Sequence, residues 1–112
     1  MATALTSDIT TDTFDKEVLE EKGKVVMVDF WGLSCQPCLA LMPTVEKLAE
    51  TYTGKLKIVK VETPPQRKLA IRLRVMSLPT FLFYKDGKEL KRISKEVSPE
   101  ELRQAVKSAV EA

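Results

Sequence analysis

A central-strand pattern that runs directly into a pair of cysteines constrains this chain more than any other feature. Val25–Trp31 is apolar at almost every position, and Cys35-Gln36-Pro37-Cys38 follows after a three-residue gap. A run that is apolar on both faces is typical of a strand in a sheet covered on both sides. Beyond the cysteines, apolar residues recur every three or four positions, which predicts a helix over Gln36–Tyr52. The dithiol therefore lies between a buried strand and a helix, an arrangement suited to disulfide exchange.

The remaining hydrophobic patterns predict an α/β domain. A short helical pattern at Phe14–Glu20 precedes the first strand, and Asp86-Gly87 is a strong signal for a hairpin turn. Further strands are predicted at Leu56–Val61, Thr80–Lys85 and Lys88–Ile93, and further helices at Gln66–Leu73 and after the cap Ser98-Pro99. Parallel strands that end in a hairpin imply a central mixed β-sheet flanked by helices on both faces.

Size, charge and composition limit the possible functions. The 112 residues predict one domain over residues 1–112, large enough to bury a core without disulfides or metal. A net charge of +2 with interleaved acids and bases gives no reason to expect nucleic acid or a membrane as partner, and we expect a monomer. Histidine is absent, which excludes histidine-based catalysis and most zinc or haem ligand sets.

The compartment follows from the N-terminus and from the use of cysteine. Met1–Asp8 has neither the basic start nor the apolar block of a signal peptide, so we expect a cytoplasmic protein. In the cytoplasm a C-x-x-C pair is more often catalytic or metal-binding than structural. Two alternatives remain beside disulfide exchange, namely a plain disulfide or unreactive thiols, and a zinc site completed by a second chain.

Six elements, in order and spacing, resemble the thioredoxin family over about Phe14 to Val110. They are Val28-Asp29-Phe30-Trp31, Cys35-Gln36-Pro37-Cys38, Pro43 in the following helix, Lys60, Leu78-Pro79-Thr80 and Asp86-Gly87. The segment Cys38-Leu39-Ala40-Leu41-Met42-Pro43 is similar to atypical thioredoxins of anaerobic bacteria, including those associated with glycine reductase. The resemblance implies the thioredoxin fold and a thiol–disulfide oxidoreductase.

The resemblance gives the two cysteines different roles. Cys35 is expected at a helix N-terminus, where unpaired N–H groups and the helix dipole stabilise a thiolate. Thiols of such motifs typically have a pKa of about 7, at which the sulfur is both ionised and nucleophilic. Cys38, one turn further, is expected to be more buried and to resolve the mixed disulfide that Cys35 forms.

Two charged residues are implied to support this chemistry. Asp29 interrupts an apolar strand, and by resemblance it lies behind Cys38 and accepts its proton through water. Lys60 matches a lysine near that aspartate. The alternatives are that Asp29 points outward at the strand end and that Lys60 is simply solvated.

The resemblance also implies a substrate-binding surface beside the dithiol. Its residues are Trp31, Ser34, Gln36, Pro37, Ser77, Leu78, Pro79 and Lys95. Pro79 matches the family's cis-proline and Trp31 is expected to cover the motif; an ordinary trans loop proline and a simple core tryptophan are the alternatives.

Several of these positions depart from the family's usual pattern. Ser34 replaces a tryptophan, Gln36 and Ser77 replace glycines, Leu39 replaces a lysine, and Lys95 falls where a groove glycine is expected. These changes are expected to alter partner choice more than catalysis.

The resulting hypothesis is an enzyme that reduces disulfides in protein substrates without a bound cofactor or metal. Its partners would be disulfide-containing proteins and a thioredoxin reductase or another electron donor. Two rivals remain: an isomerase- or oxidase-like relative with a potential above the approximately −270 mV of thioredoxin, and a peptide-binding module with an idle dithiol.

Overall fold

The computed structural model describes residues 5–112, and it contains one five-stranded mixed sheet. The strands are β1 (Thr6–Asp8), β2 (Val25–Trp31), β3 (Leu56–Glu62), β4 (Thr80–Lys85) and β5 (Lys88–Ser94). Their order across the sheet is β1-β3-β2-β4-β5, with β1, β3 and β2 parallel and β4 and β5 antiparallel. The predicted mixed sheet is confirmed. Residues 1–4, which include part of the segment used against a signal peptide and the start of the predicted domain, lie outside the described residues.

Helices cover both faces of this sheet. The α-helices are α1 (Gln36–Thr51), α2 (Arg67–Leu73) and α3 (Pro99–Glu111), with a π-helical turn at Asp15–Leu19 and a 3₁₀ turn at Pro64–Gln66. Successive side chains of β2 point to opposite faces of the sheet and so divide the core in two. Val25 and Met27 pack with α1 and α3, while Val26, Val28 and Phe30 pack towards the π-helical turn and α2. No helix in this part of the chain is both long and apolar enough to cross a bilayer.

Two predicted elements differ in detail from the structure. The helix predicted at Phe14–Glu20 is the shorter π-helical turn, closed by a 3.0 Å bond from the Glu20 N–H to the Asp15 carbonyl. The strand β1 was not predicted, because its three residues have no strand pattern and are held by pairing with β3.

The turn between β4 and β5 forms the hairpin that Asp86-Gly87 predicts. Asp86 and Gly87 have φ values of 50° and 84°, so both central residues adopt the left-handed conformation that a tight two-residue hairpin requires. The Asp86 carboxylate also accepts a 3.0 Å hydrogen bond from the Gly23 N–H, which joins this turn to the loop before β2.

Candidate active site

The two cysteines lie at the first turn of α1, beyond the carboxyl end of β2. Cys35 is the N-cap residue, and its Sγ accepts a 3.2 Å hydrogen bond from the backbone N–H of Cys38. The two residues are joined by a disulfide, with their Cα atoms 5.3 Å apart. When this bond is reduced, the same N–H and the positive end of the helix dipole face the Cys35 sulfur. Both favour the thiolate over the thiol.

The cysteines differ in accessibility, as predicted. Cys35 is half-buried, whereas Cys38 is only 2 % exposed and packs on the inner side of α1. A bulky disulfide arriving from solvent can therefore reach Cys35 more readily than Cys38. The geometry suits an attacking sulfur at position 35 and an internal partner at position 38.

Asp29 is buried in the sheet beneath α1. It is 2 % exposed, so the alternative that it points out into solvent is wrong. It follows Met27 by two residues in β2 and therefore lies on the same sheet face as Met27, the face covered by α1, which carries Cys38. Burial raises the pKa of Asp29 to about 7, and the positive charge of Lys60 opposes part of that rise. A carboxyl group that can gain or lose a proton near neutral pH thus lies on the dithiol side of the sheet.

Lys60 stands beside Asp29 on the neighbouring strand. Their Cα atoms are register partners, and the Lys60 side chain is only 19 % exposed, so it is not simply solvated. Its Nζ lies 3.8 Å from Oε2 of Glu46 on α1, an oxygen that also accepts a 3.3 Å hydrogen bond from the Thr6 hydroxyl. Lys60 is therefore held between a buried carboxyl and a second, more exposed one.

Glu46 was missed by the sequence analysis. The signal that could have found it is helical spacing, because Cys38, Met42 and Glu46 succeed one another at intervals of four residues on α1. That spacing puts a carboxylate on the side of the helix that continues from the buried cysteine towards the parallel strands.

The Leu78-Pro79 loop forms the other side of the site. The Leu78–Pro79 peptide bond is cis, so the alternative of an ordinary trans proline is wrong. The loop is fastened by a 3.0 Å bond from the Lys95 N–H to the Pro79 carbonyl and a 2.6 Å bond from the Thr80 hydroxyl to the Ser77 carbonyl. It lies against the segment that leads to the cysteines, because a Cβ on Gly32 would come within 3.2 Å of Leu78 Cδ1. Glycine at position 32, which the sequence analysis did not single out, permits this close approach.

A groove next to the dithiol brings together three of the predicted substrate-binding residues. Pro37, Leu78 and Lys95 line it with Glu96, Val97 and Ser98, and we call it the dithiol groove; its volume is about 470 Å³. Ser77 lies on a neighbouring cavity, while Ser34 and Gln36 are exposed close to Cys35 in the chain.

Trp31 is half-buried at the end of β2. It lines a small pocket with Glu62 and Gln66, and its indole N–H is buried without an acceptor among residues 5–112. Its predicted role as a cover over the dithiol stays a prediction.

Another cavity, larger than the dithiol groove, lies away from the dithiol. It has a volume of about 600 Å³ between α1 and α3 near Thr51 and Lys107, and it contains none of the predicted site residues. Among residues 5–112 no group of three or more Cys, Asp or Glu side chains has the geometry to hold a metal ion.

Comparison with known proteins agrees with the fold and with the site. The thioredoxin family model matches residues 5–108. The chain belongs to the thioredoxin family. It is 44 % identical over 85 residues to thioredoxin of Acetoanaerobium sticklandii, covering 76 % of this chain and 80 % of that one. It is 43 % identical over 93 residues to thioredoxin of Peptoclostridium acidaminophilum, with 83 % and 84 % covered.

A solved structure gives the same result at greater sequence distance. The crystal structure of Malassezia sympodialis thioredoxin superposes with a TM-score of 0.84 at 28 % identity, covering 98 % of this chain and 95 % of that one. Family membership and the Cys35–Cys38 pair together make the protein a thioredoxin-type thiol–disulfide oxidoreductase. Disulfide substrates and a reductase partner follow from the family. The similarity to clostridial thioredoxins is confirmed, whereas an association with glycine reductase stays a prediction.

Proposed function

We propose that the protein reduces disulfides in protein substrates, with Cys35 as the attacking thiolate and Cys38 as the resolving thiol. The Cys35 thiolate attacks one sulfur of the substrate disulfide, forming a mixed disulfide and releasing the other substrate sulfur as a thiolate. Cys38, once deprotonated, attacks Cys35 Sγ, which releases the second substrate thiol and leaves Cys35–Cys38 oxidised. A reductase then returns two electrons and two protons. The observation that carries this order is the helix N–H donated to Cys35 Sγ beside a fully buried Cys38.

Asp29 is proposed to accept the proton of Cys38 during resolution. Its pKa of about 7 matches a group that must be ionised before the step and protonated after it. Lys60 is proposed as a positioning residue, since its charge keeps that pKa from rising further. It acts on Asp29 and not on the substrate.

The substrate chain is proposed to lie in the dithiol groove, against Pro37, Leu78 and Pro79. Ser34, Gln36, Ser77 and Lys95 would set which substrates fit, and Trp31 would shield the cysteines from the side of β2. Support comes from the shared groove of Pro37, Leu78 and Lys95 beside the half-buried sulfur.

The wider setting of the protein is also part of the proposal. We propose a cytoplasmic monomer whose residues 1–112 form one domain and which has neither nucleic acid nor a membrane as partner. The balanced net charge of +2 and one continuous five-stranded sheet support it.

Reduction of insulin disulfides by dithiothreitol tests the proposed activity. We expect the protein to accelerate insulin precipitation well above the dithiothreitol background, and the Cys35→Ser variant to lose this acceleration. An isomerase- or oxidase-like relative would be recognised by titration against glutathione, as a potential well above approximately −270 mV. No acceleration by the wild-type protein would favour the binding module with an idle dithiol.

A further inference from the structure

A second cavity adjoins the dithiol groove on the side of the cis-proline. It has a volume of about 390 Å³ and is lined by Arg74, Met76, Ser77, Thr80, Arg92, Ser94 and Lys95; we call it the cationic pocket. Lys95 lines both cavities, and both also touch the cis-proline loop, since Leu78 lines the dithiol groove while Ser77 and Thr80 line the cationic pocket. A chain held in the dithiol groove can therefore continue into the cationic pocket.

The charges of this pocket are only partly neutralised. Arg92 is bound by the Glu89 carboxylate at 2.7 and 2.8 Å and also donates to the Leu73 and Arg74 carbonyls. Arg74 and Lys95 are exposed and form no salt bridge within residues 5–112, and no acidic side chain in that range lines the pocket. Two uncompensated positive charges thus face one concave surface.

Both cations stand at positions where the backbone is left-handed. Arg74 and Lys95 have φ values of 59° and 69°, a left-handed conformation that glycine adopts without steric cost. Only three non-glycine residues in the described part of the chain have positive φ, and two of them are these cations. At Arg74 this conformation ends α2 as its C-cap, with the Arg74 N–H bonded to the Ala70 and Ile71 carbonyls, so it fixes where this cation stands and is not itself a sign of function.

The start of α1, next to the dithiol, carries no charged side chain. The first residues of α1, from Gln36 to Ala40, include no acidic or basic side chain. The dithiol groove itself is lined by one residue of each sign, Lys95 and Glu96, which form no salt bridge with each other. The lining of the cationic pocket, within residues 5–112, has basic side chains and no acidic one.

We infer that the protein prefers substrate disulfides whose reacting cysteine is followed or preceded, at about two to four residues, by an acidic side chain that occupies the cationic pocket. This inference rests on the proposed function, because it names the substrate class of the same site. The carboxylate would pair with Lys95 and Arg74, while the hydroxyls of Ser77 and Ser94 offer further donors.

The test uses pre-reduced protein in single turnover with three disulfide peptides. They differ only in having Glu, Gln or Lys at the positions about two to four residues from the cysteine. Because the protein is reduced beforehand and turns over once, no reductase is involved. We expect the acidic peptide to be reduced about ten times faster than the basic one at low salt, since exposed ion pairs are each worth a factor of about two to five. The preference should shrink as salt is raised to about 0.5 M.

Charge-removing variants locate the effect. Lys95→Gln and Arg74→Gln should each lower the acidic-to-basic rate ratio about threefold, and the double variant should nearly abolish it. Lys107→Gln, which removes the same charge near the other end of α1, should leave the ratio unchanged. Equal rates for the three peptides with the wild-type protein, or an equal loss of preference in Lys107→Gln, would overturn the inference while leaving the proposed function intact. Failure to reduce even the neutral peptide above background would overturn both.

Discussion

At the scale of single residues, Asp29 shows how the fold tunes a side chain for chemistry. An aspartate on an exposed strand would be ionised at neutral pH, but burial of Asp29 moves its pKa from 3.8 to about 7. Lys60 beside it limits the shift. The site thereby keeps a carboxyl group that can exchange a proton at physiological pH, and it does so at the expense of stability.

Because ionised Asp29 destabilises the fold, we expect Asp29→Asn to change the stability of the oxidised protein by an amount that depends on pH. Between about pH 4 and pH 7 the folded state retains a proton that the unfolded state has lost, so stability falls as pH rises through this window. Above pH 7 the penalty is complete, about 4 kcal/mol at 1.36 kcal/mol per pKa unit. We expect urea denaturation to show Asp29→Asn more stable by about that amount at pH 8 and little changed at pH 4. Asp12→Asn, on an exposed loop, is the control, and an equal effect of Asp29→Asn at both pH values would contradict the account.

Lys60→Met tests the partner of this carboxyl group. Loss of the lysine charge should raise the pKa of Asp29 above about 7. Carboxyl-carbon NMR titration of the oxidised protein, in which Cys38 does not titrate, measures the change. Lys57→Met is the matched control, because Lys57 pairs with Glu17 and Glu21 on the other face of the same strand. An unchanged Asp29 pKa in Lys60→Met would show that Lys60 does not influence this carboxyl group.

At the scale of elements, local signals predict the structure wherever the chain carries turn or cap chemistry. The α1 helix, the Asp86-Gly87 hairpin and the start of α3 at Ser98-Pro99 all follow from such patterns. The strand β1 could not be predicted, because Thr6–Asp8 becomes a strand only by pairing with β3, far away in the chain. The same limit explains why Glu46 was missed, since its contact with Lys60 joins two elements.

The cap of α3 gives a prediction at this scale. The Ser98 hydroxyl accepts a 3.1 Å hydrogen bond from the Glu101 N–H, and the Glu101 carboxylate accepts one of 2.9 Å from the Ser98 N–H. Ser98→Ala should lower the free energy of unfolding by about 1 kcal/mol. Ser108→Ala, at an exposed position in the last turn of the same helix, should leave the free energy of unfolding unchanged or slightly higher. The midpoints of urea denaturation measure both effects. Equal shifts in the two variants would show that the Ser98 cap does not stabilise the protein.

At the scale of the whole molecule, one sheet joins every part of the site. Its central strand β2 carries Asp29, leads to the cysteines at its carboxyl end, and pairs with both β3 and β4, which bring Lys60 and the Leu78-Pro79 loop. The central mixed sheet could be expected from the hydrophobic patterns and from the family resemblance. The closeness of Gly32 to Leu78 and the joint position of Arg74 and Lys95 could not, because they depend on how distant loops pack.

A molecule built on one sheet is expected to unfold as one unit. Trp31, the only tryptophan, reports on the edge of the site, while far-UV circular dichroism reports on all helices and strands. We expect the two urea transitions to coincide, as for a two-state domain. Separate midpoints would contradict the proposal of a single domain.

The division of labour between the two cysteines is the central claim, and trapping of mixed disulfides tests it most directly. Cys38→Ser and Cys35→Ser are each mixed with a disulfide-containing peptide, quenched with acid and analysed by intact-mass spectrometry. Cys35 is the accessible sulfur at the helix N-terminus and Cys38 is buried. The account therefore predicts a one-to-one peptide adduct on Cys35 in Cys38→Ser and at least about tenfold slower capture by Cys35→Ser. Equal capture by both variants would contradict it.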